Sequence, residues 1–316
     1  MFQKYNSLTN HYADKSLAYL REANLLSTPG HVTEKVHGSN FSFIWNNETK
    51  TFTVASRETI LEETSSFFNF RPVVKDFKER IEALGNHINK DFQLYGEYYG
   101  GSVQSEIKYG CEQTFIAFDL RTSDDYFSQE DLESVCSSFG IPCVESLGIC
   151  TFEELLQKNV ETHSLIAKKN GLDSIIEGFV WKPVVTQWLY KDAERTIKER
   201  VVIKYKSEAF SERKKDSKQP KVVKLAAANA ILGEFENEID AFINEARVSA
   251  VASKIGEVSI KDFGKIIPLF VNDVIDDIYK NLILPPETPQ FVAELRKSVT
   301  AKSNPVVRQY LLKPKS

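Results

Sequence analysis

Through the first 206 residues the apolar positions come in short runs that alternate with polar ones and end at turn residues, the pattern of strands. NFSFIW (40–45) and TFTVAS (51–56), separated by the turn-like NNETK (46–50), predict a hairpin. FQLYGEYY (92–99), TFIAFDL (114–120), IIEGFVWKP (175–183) and RVVIKYK (200–206) predict further strands, with helices over roughly 9–24, 72–88, 128–139 and 151–168. Beyond Lys224 the period becomes three and four: Leu232, Phe235, Ile239, Phe242 and Ile243 mark one face of an amphipathic helix. Gly256 is placed to stop the helix that follows, Ser259 with Asp262 reads as a capping box, and Thr288-Pro289 as another helix start. The pattern predicts an α+β chain. Residues 1–220 form a domain of antiparallel sheets with flanking helices, residues 225–316 form a small all-α domain, and the stretch 213–224 with Pro220 is the hinge.

The 316 residues suffice for two domains with a sizeable core, and 42% hydrophobic with 27% charged residues is ordinary for a globular chain. No apolar run is long enough to cross a bilayer, and the polar start MFQKYNSLTNHY has no signal-peptide core. The four cysteines, at 111, 136, 143 and 150, form no C-x-x-C pair, and the five histidines are scattered. These features predict reduced thiols, no zinc site and a cytoplasmic protein without a membrane partner. The net charge of −4 argues against nucleic acid as a partner only on average. Between Lys198 and Lys224 ten Lys/Arg face four acids, a local excess of +6. Polyanion binding needs such a patch rather than a basic whole, although a charge run is more often a solvated linker.

Lys35 in TEKVHGSNFSF sits at the edge of a buried strand. A lysine nucleophile must lose its proton, which desolvation and nearby cations assist. In VIKYK, Lys204 and Lys206 share one face of a strand, because side chains alternate, and could supply that charge and grip phosphates. Glu97 beside Gly96 and Glu177 beside Gly178 offer carboxylates where glycine permits close approach, though either pair taken alone is more often a surface turn. Gly38, three residues after Lys35, would let a nucleotide approach the backbone. Phe118 could stack on a base, or could simply be a core residue. There is no P-loop, no kinase motif set and no G-x-S-x-G. The residues by themselves reach a lysine-centred enzyme that handles nucleotides.

The order of motifs goes further. E-K-V-H-G, Arg57, Y-G-E, A-F-D, E-G-F-V-W-K-P and V-I-K-Y-K resemble the covalent nucleotidyltransferases, and within them the double-stranded RNA ligase family of the bacteriophage RNA ligase 2 type, related to the trypanosome RNA-editing ligases. MFQKYNSLTNHY, EKVHGSNFSF and SKIGEVSIKDFGK resemble the bacteriophage branch, so the similarity spans the chain.

The resemblance implies an adenylyltransferase domain and an ATP-dependent RNA ligase that seals 3′-hydroxyl/5′-phosphate nicks. The partners it implies are ATP, Mg²⁺ or Mn²⁺, and nicked duplex RNA or an RNA/DNA hybrid, with the protein acting as a monomer. Lys35 would carry AMP, and His37 would act after that step. Glu34, Asn40, Arg57, Glu97, Phe118, Lys204 and Lys206 would bind the nucleotide, and Glu177 the metal. Ser39, Phe67, Phe68, Arg247 and Asp273 would serve the RNA end. Ser39 stands where the family usually has threonine, keeping the hydroxyl, and Ser56 stands where the bacteriophage relative has a basic residue. An A-form duplex shows phosphates and 2′-hydroxyls that can be recognised by shape, and the basic hinge could clamp it. Two other readings stay open: a ligase preferring single-stranded RNA or mixed RNA/DNA ends, and a non-catalytic duplex-RNA binder that kept the fold. A virus-encoded origin would place the protein in the host cytoplasm.

Overall fold

A computed structural model describes residues 2–104, 106–123, 125–190, 198–211, 235–281 and 289–313. It divides into two compact units. The first comprises Met1–His11, Leu20–Ser207 and Ser253–Glu257; the second comprises Tyr12–Tyr19, Glu208–Ala252 and Val258–Ser316. The expected hinge at 213–224 and Leu232 lie outside the described residues.

The first unit contains two five-stranded sheets. One runs β5 (Ile60–Leu61), β4 (Thr51–Ser56), β3 (Ser39–Asn46), β6 (Phe92–Tyr99), β7 (Thr114–Thr122), all antiparallel. The predicted hairpin is there, with Asn46 opposite Thr51. Alternation sends Phe41, Phe43 and Trp45 of β3 to one face, where they join Phe92, Leu94, Tyr98 and Phe115 in a core. Helix α2 (Phe70–Ile88) covers that face with Phe70, Val73, Phe77, Ile81 and Leu84, spaced three and four apart. Its end is set by Asn89, whose left-handed backbone donates to the Gly85 carbonyl. Helix α3 (Gln129–Ser138), capped by Ser128, closes the core with Leu132 and Cys136. The opposite face of the sheet carries Asn40, paired directly with Glu97.

The second sheet runs β1 (Thr9–Asn10), β12 (Ile203–Lys206), β9 (Gly178–Pro183), β2 (Gly30–Glu34), β8 (Ser146–Cys150); only β1–β12 is parallel. A small ribbon pairs β10 (Trp188–Tyr190) with β11 (Lys198–Arg200). Three predicted elements differ. The helix expected over 9–24 begins only at Asp14 (α1, Asp14–Glu22), because Thr9 and Asn10 pair with β12. The helix expected over 151–168 is two short ones, α4 (Phe152–Leu155) and α5 (Leu165–Lys169), each started by its own cap, Thr151 and Ser164. Between them His163 bridges Ile175 and the Ile176 N–H donates to the Thr162 carbonyl, which holds that backbone extended. The strand expected over 200–206 breaks at Val201, whose N–H turns to Gln187.

The second unit is helical: α6 (Glu236–Ala241), α7 (Glu245–Ser253), α8 (Phe263–Asn281) and α9 (Pro289–Leu312). The capping box of Ser259 and Asp262 forms as its spacing predicts. Phe235, Ile239, Phe242, Val248, Phe270, Val274, Leu295 and Val299 are buried. Among the described residues no helix is long and apolar enough to cross a membrane.

Ile81 has no exposed surface and faces the sheet from the middle of α2. Ile81→Ala should lower the stability of the first unit by about 2–5 kcal/mol, read as a shifted urea midpoint at constant slope.

Candidate active site

Lys35, Glu177 and Lys206 are far apart in sequence but stand together at one end of three adjacent strands. Lys35 follows β2 and donates its backbone N–H to the Gly178 carbonyl at 2.8 Å. Glu177 precedes β9, and its carbonyl accepts from the Ser207 N–H at 3.0 Å, while Lys206 on β12 lies opposite Gly178. A Cβ at Gly178 would collide with the Tyr205 carbonyl oxygen and the Lys206 Cα, so glycine is what lets β9 and β12 close here. Gly38 answers a similar need. A side chain there would strike the Tyr98 carbonyl oxygen and Glu97, so the close approach of this segment to β6 requires glycine.

The centre is the Glu177 carboxylate. Its Oε1 accepts from Lys206 Nζ at 2.8 Å, and its Oε2 from Lys35 Nζ at 2.8 Å and from His37 Nδ1 at 3.0 Å. Burial alone would raise the Glu177 pKa, but Lys206, Lys35 and His37 together hold it well below the ordinary carboxylate value. The expectation that cations directly flank Lys35 is therefore corrected: its nearest partner is a carboxylate, and Lys206 lies on that carboxylate's far oxygen. Lys204, expected beside Lys206, stands opposite Val180 and Asn10, and its charge acts on His11, whose pKa burial and Lys204 lower to about 4.

His37 is enclosed, with Glu106 Oε2 3.1 Å from Nε2. A neutral imidazole donates from one nitrogen only, so two carboxylates favour the doubly protonated ring. Burial lowers the His37 pKa, but Glu106 and Glu177 outweigh it and the net direction is upward. Glu97 faces the same group; burial pushes its pKa up to about 7 against the pull of Lys35. Arg57, just after β4, also acts on Glu97 and donates to Ser7 Oγ at 3.1 Å. The Glu34 side chain turns away from Lys35 and accepts from Ser164 Oγ at 2.6 Å and the Leu165 N–H at 3.0 Å, capping α5. A cavity of about 520 Å³ lined by Glu34, Tyr99, Ile116, Val144 and Leu165 lies there, and Lys35, Glu177 and Phe118 are not among its lining residues.

Phe118, half-buried, meets Tyr5 edge-on at 4.9 Å. The next residue, Asp119, which the A-F-D motif contains without an assigned role, is buried and accepts from Tyr5 at 2.6 Å and Arg200 at 2.5 Å. Burial would raise the Asp119 pKa, but Lys182 and Arg200 hold it below the ordinary value. Lys182 Nζ also donates to the Phe118 carbonyl at 2.9 Å, so this network fixes the backbone under the ring.

Of the residues expected at the RNA end, Ser39, Phe67 and Arg247 are buried, while Phe68 and Asp273 keep some exposure. Ser39 is buried and donates to the Ser253 carbonyl, and Phe67 is buried against Phe41 and Tyr98, next to Gly256. Phe68 keeps some exposure and stacks on Tyr98 at 5.8 Å. Arg247 is 0% exposed; it pairs with Asp273 at 2.7 Å and with Asp277 at 2.8 Å, the latter not anticipated from the sequence. Arg247 therefore ties α7 to α8 in the helical unit, and as placed it presents no surface to a ligand.

Residues 29–206 match the model of the RNA ligase family, and residues 227–308 match that of the T4 RNA ligase 2 C-terminal region. The chain belongs to the RNA ligase family. Among solved structures it is similar to variants of Naegleria gruberi RNA ligase. A form with ATP and Mn gives 19% identity over 66% of this chain and 57% of that one, with a TM-score of 0.48. A form with AMP and Mn gives 20% identity over the same shares, with a TM-score of 0.49. An apo form gives 17% identity over 64% and 56%, with a TM-score of 0.46. The chain thus spans less than two thirds of the length of these proteins.

Two outcomes follow from the geometry. Arg247→Ala leaves two acids facing an emptied buried position and should destabilise the helical unit by about 3–5 kcal/mol in thermal or urea unfolding. Glu97 has a folded-state pKa raised above its unfolded value. The folded state therefore binds the extra proton between the two, and stability falls as pH rises from 4.5 through about 7. Glu97→Gln should remove that component, so urea midpoints measured from pH 5 to 8 should fall for the wild type relative to the variant.

Proposed function

We propose that the chain is an ATP-dependent RNA ligase that carries AMP on Lys35 and seals 3′-hydroxyl/5′-phosphate nicks in duplex RNA. The observation that carries this reading is the Lys35–Glu177–Lys206 chain. An amine 18% exposed is held at the mouth of a buried site, with a second ammonium one carboxylate away. Lys35 Nζ gives up a proton to solvent and bonds to the α-phosphorus of ATP, and the bond to pyrophosphate breaks. The AMP then passes to the 5′-phosphate of an RNA end, and a 3′-hydroxyl displaces it. Lys206, which pairs with Glu177, and Arg57, which acts on Glu97, would offset phosphate charge, and Phe118, braced by the Asp119 network, offers a ring to a base. The tail's match to the T4 RNA ligase 2 C-terminal model supports the resemblance from which the duplex acceptor is taken.

A divalent ion fits in one form only. No group of three or more His, Cys, Asp or Glu that could hold a metal exists among the described residues. Glu177 pairs with Lys35 directly, and Glu97 interacts with it electrostatically. That set suits Mg²⁺ or Mn²⁺ held mainly by ATP phosphates and water, with Glu177 and Glu97 at its edge. When bound, the ion would neutralise phosphate charge.

Incubation with ATP labelled on the α-phosphate and Mg²⁺, followed by denaturation, should leave label on the wild type and none above background on Lys35→Ala, with unchanged circular dichroism. An unlabelled wild type, or equal label on the variant, would overturn the assignment.

A further inference from the structure

We propose that Glu106 is a positioning residue for His37, and that it fixes the imidazole ring beside the Lys35–Glu177 pair for the transfer of AMP from protein to RNA. The proposal rests on the reading of the chain as a ligase that works through Lys35.

Glu106 lies in the loop after β6, and no sequence motif marks it. Its Oε2 is 3.1 Å from His37 Nε2, while His37 Nδ1 is 3.0 Å from Glu177 Oε2, the oxygen that also takes Lys35. Rotation of an imidazole about its last torsion is broad and roughly two-fold. A single anchor at Nδ1, on an oxygen shared with a lysine, sets the direction of the ring less firmly than two anchors on opposite nitrogens. A second acceptor at Nε2 supplies the other anchor, as an acid does for the histidine of a Ser-His-Asp triad.

The same loop also grips the main chain. The His37 N–H donates to Tyr109 Oη at 2.7 Å, the Tyr109 carbonyl accepts from Asn170 Nδ2 at 2.8 Å, and its ring meets Tyr99 edge-on at 5.0 Å. Ile107, between the two contacts, is buried. The segment 106–109 thus holds His37 by backbone and by ring at once. Tyr109 and Ile107 are parts of the fold, but Glu106 is not: its side chain is 44% exposed, so removing it opens no cavity. What it contributes is direction.

Two variants separate direction from charge: Glu106→Ala removes the acceptor, and Glu106→Gln keeps an amide oxygen that can still accept from Nε2–H. Protein carrying labelled AMP is chased with nicked duplex RNA in a single turnover, and the transfer rate is divided by the rate of self-labelling from ATP. The ratio should fall about tenfold in Glu106→Ala and stay within about threefold in Glu106→Gln, the scale of one hydrogen bond between charged groups. In parallel, the imidazole ¹⁵N signals of His37, assigned by their loss in His37→Gln, should move in Glu106→Ala, while in Glu106→Gln the Nε2 signal should remain that of a hydrogen-bonded N–H. An unchanged ratio with unchanged signals in Glu106→Ala overturns the proposal, and so does a Glu106→Gln as slow as Glu106→Ala. If the wild type takes no label at all, the ligase reading fails by itself. The nitrogen signals then still decide whether Glu106 orients His37.

Discussion

One buried carboxylate organises the site. Taking Glu177 out of water is costly, and it remains charged only because Lys35, Lys206 and His37 all donate to it. None of these partners is close to Glu177 in sequence. They converge because the sheet places β12, β9 and β2 side by side, so that three strand ends meet at a single point. A shift of one residue in any of these registers would turn a charged group to the wrong face and leave the carboxylate buried with too few donors. The order of that sheet is therefore an electrostatic requirement as well as a packing solution.

The two sheets of the first unit divide the labour. The strand ends around Glu177 supply the amines. The other sheet supplies Asn40 and Glu97, opposite each other on β3 and β6, and Phe118 on β7. Beneath Phe118, Asp119 is itself a small copy of the same logic: a buried acid held ionised by Arg200 and Lys182, with the Tyr5 hydroxyl completing its shell. Such fully partnered polar groups inside a core specify one arrangement of the surrounding backbone.

The sequence reveals what is periodic and hides what depends on partners. The β3–β4 hairpin and α2 could be read because their apolar residues repeat at two and at three to four over a long stretch. Strand β8 could not, since Leu147, Gly148 and Ile149 are all exposed and give no alternation. The nucleophile candidate, its carboxylate and Lys206 were found from motif order, but their connectivity was not. Lys35 looked like an amine among cations and proves to be paired with an acid. The resemblance gave Arg247 and Asp273 a role at the RNA end, and it carried no sign that the two residues pair with each other. Asp273 and Asp277, one turn apart on another helix, bury Arg247. Glu106 could not have been found at all, because its meaning comes from a histidine some seventy positions earlier.

Strand β1 shows what this wiring asks of the chain as it is made. Thr9 and Asn10 precede their partners, Ile203 and Lys204, by nearly two hundred positions. Gln3 and Tyr5 likewise wait for Gln93 and Asp119. Gln3 and Tyr5 can find their partners once Asp119 is made, but Thr9 and Asn10 can pair with β12 only after nearly all of Leu20–Ser207 has been synthesised. Such long-range closure is slow, and until it happens the edge of β12 stays open to any stray strand that reaches it first.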